Sequence, residues 1–346
     1  MDIRFAADAE ITTWDAKVLS NPDGGNVFQG EEFADQKKMS GWTPRFLVAG
    51  NLAITVLEKS VFGLGKFWYI PKGPGVSDET QLDGLLPELK KFANKQGVFA
   101  VKIEPEILKT NASITHLIES GLLPVTPIQP NFSTVLLDLS PNAETIIANL
   151  NQTSRHAIRR AEREGVTVEE VEADNVSCQK FYEMLSDTAA GSFHIRPYDY
   201  YYKFWRRYAD AGLGQLFFAY HNDKLIAGAF AMVFGEKSTY KDGASVREKT
   251  VYGASHLLQL YVMQWAKRQG SKKHDLCGSP PSDQIGNKNH PHYGIGLFKT
   301  SFNKQVTDYV GAFDLVVKPT KYKWWKRIGE SLTKRRWWRK HHESWY

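Results

Sequence analysis

Arg155, Arg159 and Arg163 recur every four residues, so on an α-helix they form one ridge, with His156 and Arg160 beside it. Such a ridge can neutralise the phosphates of a polyanion, and it equally fits an ordinary solvated face. A second cationic stretch runs over residues 321–346, where nine Lys/Arg stand against two Asp/Glu. Its charge of +7, out of a net +6, leaves −1 on the other 320 residues. Within it Trp324, Ile328 and Leu332 step by four among Lys and Arg. That pattern suits a helix lying in the interface of an anionic membrane. Trp stacking and Arg neutralisation suit RNA nearly as well, and a disordered solubilising tail is the remaining option. His274, Cys277, His290 and His292 are metal-binding types, but their irregular spacing across a long loop defines no zinc site.

The elements that must position these residues follow from pattern. At 346 residues two domains of ordinary size are expected. The longest apolar run, 225–234, has strand length and is too short to span a bilayer. The first ten residues, MDIRFAADAE, lack the basic start and apolar core of a signal peptide. Two cysteines suggest no disulfide framework, and a cytoplasmic location is the simplest expectation. Residues 133–139 form a strand by composition. Ser140 as N-cap and Pro141 at the first position open a helix, with Glu144 in its first turn and Gly165 ending it. Ile147, Leu150, Ser154, Ile158 and Ala161 supply its buried stripe.

Before this element come a short strand, a helix over 31–39, strands over 46–58 and 65–70 that can hairpin, a helix over 81–96, a strand over 99–103 and a helix over 110–120. After it come helices over 178–190 and 197–211, strands over 214–220, 225–234 and 237–242, a helix over 252–269 and a strand over 273–277. Residues 298–302 and a strand-like 305–317 follow. Two helices, a three-strand meander, a helix and a strand is the order of a GNAT-type acyltransferase. The first half suggests the same plan by element order, without a sequence repeat.

Several segments together resemble the Fem family of non-ribosomal peptidyltransferases, FemX-type members in particular. They are Val27-Phe28-Gln29 with Phe33, Lys37 and Gly41-Trp42; Tyr69-Ile70-Pro71-Lys72-Gly73-Pro74; Ile103-Glu104-Pro105; Ile128-Gln129-Pro130; the run from Arg155 to Val166; Arg196-Pro197 with Tyr200; Asp275 with Gly278; and Leu297-Phe298-Lys299. The resemblance implies an α+β fold of two GNAT-like domains in tandem: residues 1–132 with about 305–320, then 133–304, then a basic Trp-rich tail over 321–346. The stretch 176–241 has no room for the coiled-coil arm of some relatives. It further implies transfer of an amino acid (Gly, Ala or Ser) from aminoacyl-tRNA to the side-chain amine of a peptidoglycan precursor's stem peptide, with no metal or organic cofactor. The acceptor is either lipid II or UDP-MurNAc-pentapeptide, and a peripheral contact with the inner membrane face is expected of the tail.

An aminoacyl ester is already activated, so the enzyme's task is to bring ester and amine together and to stabilise the oxyanion. Lys299, after Phe298, matches the family lysine assigned that charge. Lys37 (or its neighbour Lys38), Arg196 and Tyr200 match positions that contact the precursor. Tyr240 falls on the strand that lines the family's pocket, and Asp242 stands where relatives often carry an aromatic residue. Arg155, Arg159 and Arg160 suit the tRNA backbone. Two alternatives remain: an acyl-CoA-dependent N-acetyltransferase and a non-catalytic RNA- or membrane-binding relative. The first would use a Gly-rich turn such as 250–255, which lacks the usual Gln/Arg.

Overall fold

The computed structural model describes residues 1–129, 131–189, 195–246 and 251–346. These fall into two compact units, Met1–Phe132 with Asp308–Tyr346, and Ser133–Thr307.

The first unit is built on seven strands in the order Ile3–Phe5, Thr43–Ala49, Leu52–Val61, Gly65–Ile70, Val98–Ile103, Ala312–Val316 and Leu122–Val125. All neighbours are antiparallel except Gly65–Ile70 beside Val98–Ile103. The single strand expected over 46–58 is two strands, because Gly50 at φ +57° turns the chain back on itself. Helix Leu85–Lys95 lays Leu85, Leu86, Leu89 and Ala93 on the sheet, against a core that includes Trp68, Ile70, Val101 and Phe313. Thr110 caps helix Asn111–Glu119, accepting from the Ser113 amide at 2.9 Å.

The second unit has six strands in the order Leu136–Asp138, Lys273–Asp275, Lys237–Ser245, Lys224–Phe234, Gly214–His221 and Thr167–Val171. Among the described residues its parallel pair is Lys237–Ser245 with Lys273–Asp275. Each unit therefore runs a three-strand antiparallel meander into a helix and returns by a strand parallel to the meander's last member. In the second unit that helix is Ala254–Arg268, whose Leu257, Leu258, Val262 and Ala266 face the sheet core. This is the tandem GNAT-like α+β architecture. Among the described residues there is no long helical arm: Asn175–Ala189 and Tyr198–Asp210 precede the meander directly.

The helix expected from Pro141 onward is two helices, Ala143–Asn149 and Gln152–Arg163, with Asn142 rather than Ser140 capping the first. Leu150 is extended (ψ 148°), and the Arg155 guanidinium fills the break by donating to the carbonyls of Ala148 and Leu150, both at 2.6 Å. From the interruption onward Leu150, Ser154, Ile158 and Ala161 are all buried as expected, whereas before it Ile146 is buried and Ile147, expected in the stripe, is half-buried. Gly165, at φ +82°, ends the second helix: its amide bonds Glu162 and the Val166 amide bonds Ala161, the paired closure that favours glycine there.

Residues 321–346 are not a separate tail. Pro319–Trp324, one π-helical turn over Trp325–Gly329, and Glu330–His341 run on without a break against the first unit. Trp325 is buried 5.7 Å from Phe67 and 5.6 Å from Phe99, and Trp345 is buried against Trp42 and Phe67. The buried Lys59 ammonium lies over the rings of Trp42 (4.6 Å), Trp337 (4.2 Å) and Trp345 (5.2 Å) and donates to the Trp345 carbonyl. Three aromatic faces and a carbonyl replace the water that this charge gives up.

Candidate active site

Lys299 belongs to helix Tyr293–Thr300, not to a strand end, and it is 6% exposed. Its ammonium donates to the carbonyls of Cys277 (2.5 Å) and Gly278 (2.6 Å). Both carbonyls face it because Cys277 and Gly278 are left-handed in succession, at φ +56° and +87°. Asp275, at the end of the parallel strand, fixes that turn: its carboxylate accepts from the Cys277 amide at 2.7 Å and from the Thr134 hydroxyl. An ammonium has three donors, and two are placed here on neutral oxygens. Burial pulls the Lys299 pKa below the ordinary lysine value, while Cys277 and Asp275 oppose the drop. The result is a fixed donor in a low-dielectric setting, directed by backbone dipoles.

Tyr240 stands beside it, with Lys299 Nζ 5.9 Å from its ring centre. The phenol occupies space that only glycine leaves open, since a Cβ on Gly243 would lie 1.5 Å from Tyr240 Oη. Burial and the nearby Asp242 both raise the phenol's pKa, so it stays a neutral donor. Tyr240 and Asp242 would share a face in a regular strand. The pairing with Lys224–Phe234 instead skips Lys241, setting Tyr240 opposite Ala231 and Asp242 opposite Phe230. Tyr240 thus joins the core packed under helix Ala254–Arg268. Asp242 turns to the other face, where it accepts from Trp205 Nε1 and Lys241 Nζ, each at 3.0 Å. The structure therefore separates two residues that the sequence placed together. On Asp242's face, Arg196 lies over the Tyr200 ring at 4.6 Å, near the start of helix Tyr198–Asp210.

Phe298 is a packing residue: its ring meets His256 at 5.0 Å and Phe302 at 5.3 Å. It borders a polar link that sequence reasoning missed. Ser154 Oγ donates to the Ser301 carbonyl (2.7 Å), the two hydroxyls lie 3.0 Å apart, and His256 Nε2 reaches Ser301 Oγ at 3.0 Å. Burial lowers the His256 pKa to about 4, so this link is neutral near pH 7. Ser154 falls in phase with an apolar stripe, which is the signal that could have exposed it. His274 is likewise neutral, lowered to about 3 by burial, with Nδ1 against Ser238 Oγ at 2.8 Å and Nε2 towards Gln259.

In the first unit, helix Glu31–Lys38 separates its two terminal lysines. Lys37 is 5% exposed, with its ammonium 5.4 Å from the Phe33 ring, whereas Lys38 sits at the surface and pairs with Asp35 at 2.5 Å. On helix Gln152–Arg163, which carries four arginines, the three expected to contact phosphate also divide. Arg155 spends Nη1 on the carbonyls that it caps, a structural role beside the phosphate contact expected of it. Arg160 pairs with Glu164 at 2.6 Å and lies over the Tyr252 ring, and Arg159 is exposed. The turn before helix Ala254–Arg268 is closed as well: a Cβ on Gly253 would lie 2.1 Å from the Ala157 carbonyl. The helix N-terminus that would receive an acyl-CoA pyrophosphate is packed against another helix, and Thr250 of that turn lies outside the described residues, as does Pro130.

Two GNAT-like units, with a buried lysine held on backbone carbonyls in the second, define a transferase scaffold. The FemAB family model matches residues 124–222 and 213–329, and the chain belongs to the FemAB family. It is 23% identical to the lipid II:glycine glycyltransferase of Staphylococcus aureus (strain MRSA252), over 92% of this chain and 94% of that protein. The Staphylococcus haemolyticus (strain JCSC1435) enzyme of the same name is 22% identical over the same shares. Among solved structures, that of FemX superposes with a TM-score of 0.79 at 21% identity, covering 94% of this chain and 99% of that one. Among the described residues, no helix is long and apolar enough to cross a membrane.

Proposed function

We propose that this protein transfers an amino acid from aminoacyl-tRNA to the side-chain amine of a peptidoglycan precursor's stem peptide, extending the interpeptide bridge. The observation that carries the reading is the Lys299 ammonium, buried and held by two carbonyls with one donor unassigned by its geometry. The neutral amine attacks the ester carbonyl carbon, and the electron pair of the C=O bond moves to oxygen as the C–N bond forms. Lys299 stabilises that oxyanion, with the neutral Tyr240 phenol beside it. Collapse expels the ribose oxygen, which takes up the proton that the amine loses. A positioned donor of this kind is worth ~10²–10³ in rate.

Arg196, stacked on Tyr200, is suited to the precursor's diphosphate. Arg159 is the most available tRNA contact of the three, Arg155 holding two carbonyls and Arg160 pairing with Glu164. The names of the staphylococcal relatives support glycine as donor and lipid II as acceptor. The test is transfer of labelled glycine, alanine or serine from charged tRNA to lysine-containing lipid-linked or UDP-linked precursor. Label on the precursor's side-chain amine supports the reading and names the donor. Absence of transfer from every donor, with acetylation of an amine by acetyl-CoA, would replace it with an acetyltransferase.

A further inference from the structure

The helical segment from Pro319 to His341 has one face buried on the first unit and another in solvent. Trp325 and Tyr322 are buried, while Trp324 is 54%, Ile328 44% and Leu332 50% exposed. All three large apolar residues are thus turned to solvent within nine positions of one helical segment. A second element adds to them. The turn joining strands Leu52–Val61 and Gly65–Ile70 carries Phe62, which is 95% exposed. That turn lies against the helix: a Cβ on Gly329 would sit 3.2 Å from Leu64 Cδ1, and one on Gly65 would sit 3.8 Å from Lys321 Nζ.

Cations flank the exposed apolar residues. Lys323, Lys326, Arg327, Lys334, Arg335 and Arg339 are all exposed. The acidic residue among them, Glu330, is spent internally on Lys326 (3.4 Å), Lys334 (2.8 Å) and the Tyr346 hydroxyl (2.8 Å). Apolar side chains framed by positive charge complement the acyl boundary and the headgroups of an anionic bilayer. RNA fits less well, because Ile328 and Leu332 have no π-face to stack on a base, and Trp325, Trp337 and Trp345 are committed to the fold.

We propose that this face, Phe62 with Trp324, Ile328 and Leu332, docks the protein on an anionic phospholipid surface. The helix is folded before it meets the membrane, since its buried side is pinned by Trp325 and by the Lys59 clamp. Docking does not depend on the transfer chemistry and stands or falls separately from it.

The experiment is sedimentation of the full chain with vesicles rich in phosphatidylglycerol and with pure phosphatidylcholine vesicles, in parallel with tRNA binding. Wild-type protein should partition to the anionic vesicles about tenfold more strongly than to the neutral ones, and salt should weaken the difference. The combined variant Phe62→Ser, Ile328→Ser, Leu332→Ser should lose about tenfold or more of that partition at an unchanged melting temperature. Transfer to a soluble acceptor should persist in it. Phe62→Ser alone, at an exposed turn, serves as the second variant and should lose a few-fold. Partition of both variants equal to wild type would overturn the proposal. So would absence of vesicle binding together with tRNA binding that requires these residues, which would make the face an RNA surface.

Discussion

Replacing Lys299 by Met removes a charge while retaining most of the side chain's length, and its consequences divide between fold and turnover. In the folded protein, the carbonyls of Cys277 and Gly278 lose their donor, at about 1–3 kcal/mol for each oxygen left buried without a partner. Against this, the variant no longer buries an ammonium, whose desolvation is what lowers the Lys299 pKa. The two contributions oppose, so the melting temperature should move by no more than about 5 °C. Turnover has no such offset. Loss of a preorganised donor at the developing oxyanion should reduce kcat by ~10²–10³ with little change in KM, measured as single-turnover transfer from charged tRNA. The pH profile gives a second readout. In the wild type the cation titrates below 10.5, so the alkaline limb of kcat should fall earlier than an exposed lysine would allow, and the variant should lack that limb. Because the folded pKa is lowered, the cation costs the fold fully below that pKa and not at all above the unfolded value. Wild-type stability should therefore gain on the variant as pH rises through that window. A variant turning over within about threefold of wild type, with a native melting curve, would remove Lys299 from the chemistry.

Other substitutions separate binding from scaffolding. Arg155→Ala should destabilise by about 1–3 kcal/mol in urea denaturation, through two lost hydrogen bonds to the carbonyls of Ala148 and Leu150. Arg159→Ala should leave stability within about 0.5 kcal/mol yet lower the salt dependence of tRNA binding by roughly one phosphate contact. Gly253→Ala combines φ +94° with a Cβ 2.1 Å from the Ala157 carbonyl, and a loss of ~3 kcal/mol or more is expected from chemical denaturation. His274 and His256, held near about 3 and about 4, stay neutral in the fold while their unfolded forms take up protons below 6.5. Their contribution is fully present above pH 6.5 and is lost as pH falls toward those values; a flat unfolding free energy from 6.5 to 4 would contradict it.

The periodic parts of this fold were open to sequence reasoning because they rest on local rules. Gly165 closes its helix by the left-handed conformation that a chiral residue resists. The meander, helix and return strand of the second unit were marked by alternating apolar runs and turn residues. What escaped was tertiary. The break at Leu150 was hidden because Ile147, Leu150 and Ser154 step by three and four in the sequence straight across it, and because the group that fills it, Arg155, looks like a member of a surface ridge. The one-residue bulge at Lys241 decides which way Tyr240 and Asp242 point, and no composition signal encodes it. Lys299 was identified by resemblance alone; its carbonyl setting comes from two consecutive left-handed residues, one of them Cys277, an unusual type for that conformation. The C-terminal helix was legible as amphipathic, but its cage on Lys59 spans 286 positions of the chain, beyond any local pattern.

The strand Ala312–Val316 sits between Val98–Ile103 and Leu122–Val125 in the first unit's sheet, bonded to both. A ribosome therefore finishes the contiguous second unit, Ser133–Thr307, before it supplies an interior piece of the first. Until then Val98–Ile103 and Leu122–Val125 present unpaired edges on the side that the missing strand will fill, the condition in which nascent sheets recruit wrong partners. The order of maturation is thus reversed relative to the order of synthesis. The part encoded later has every strand of its sheet in hand as soon as it is made, while the part encoded first waits for one, and that wait is when its open edges are exposed to wrong partners.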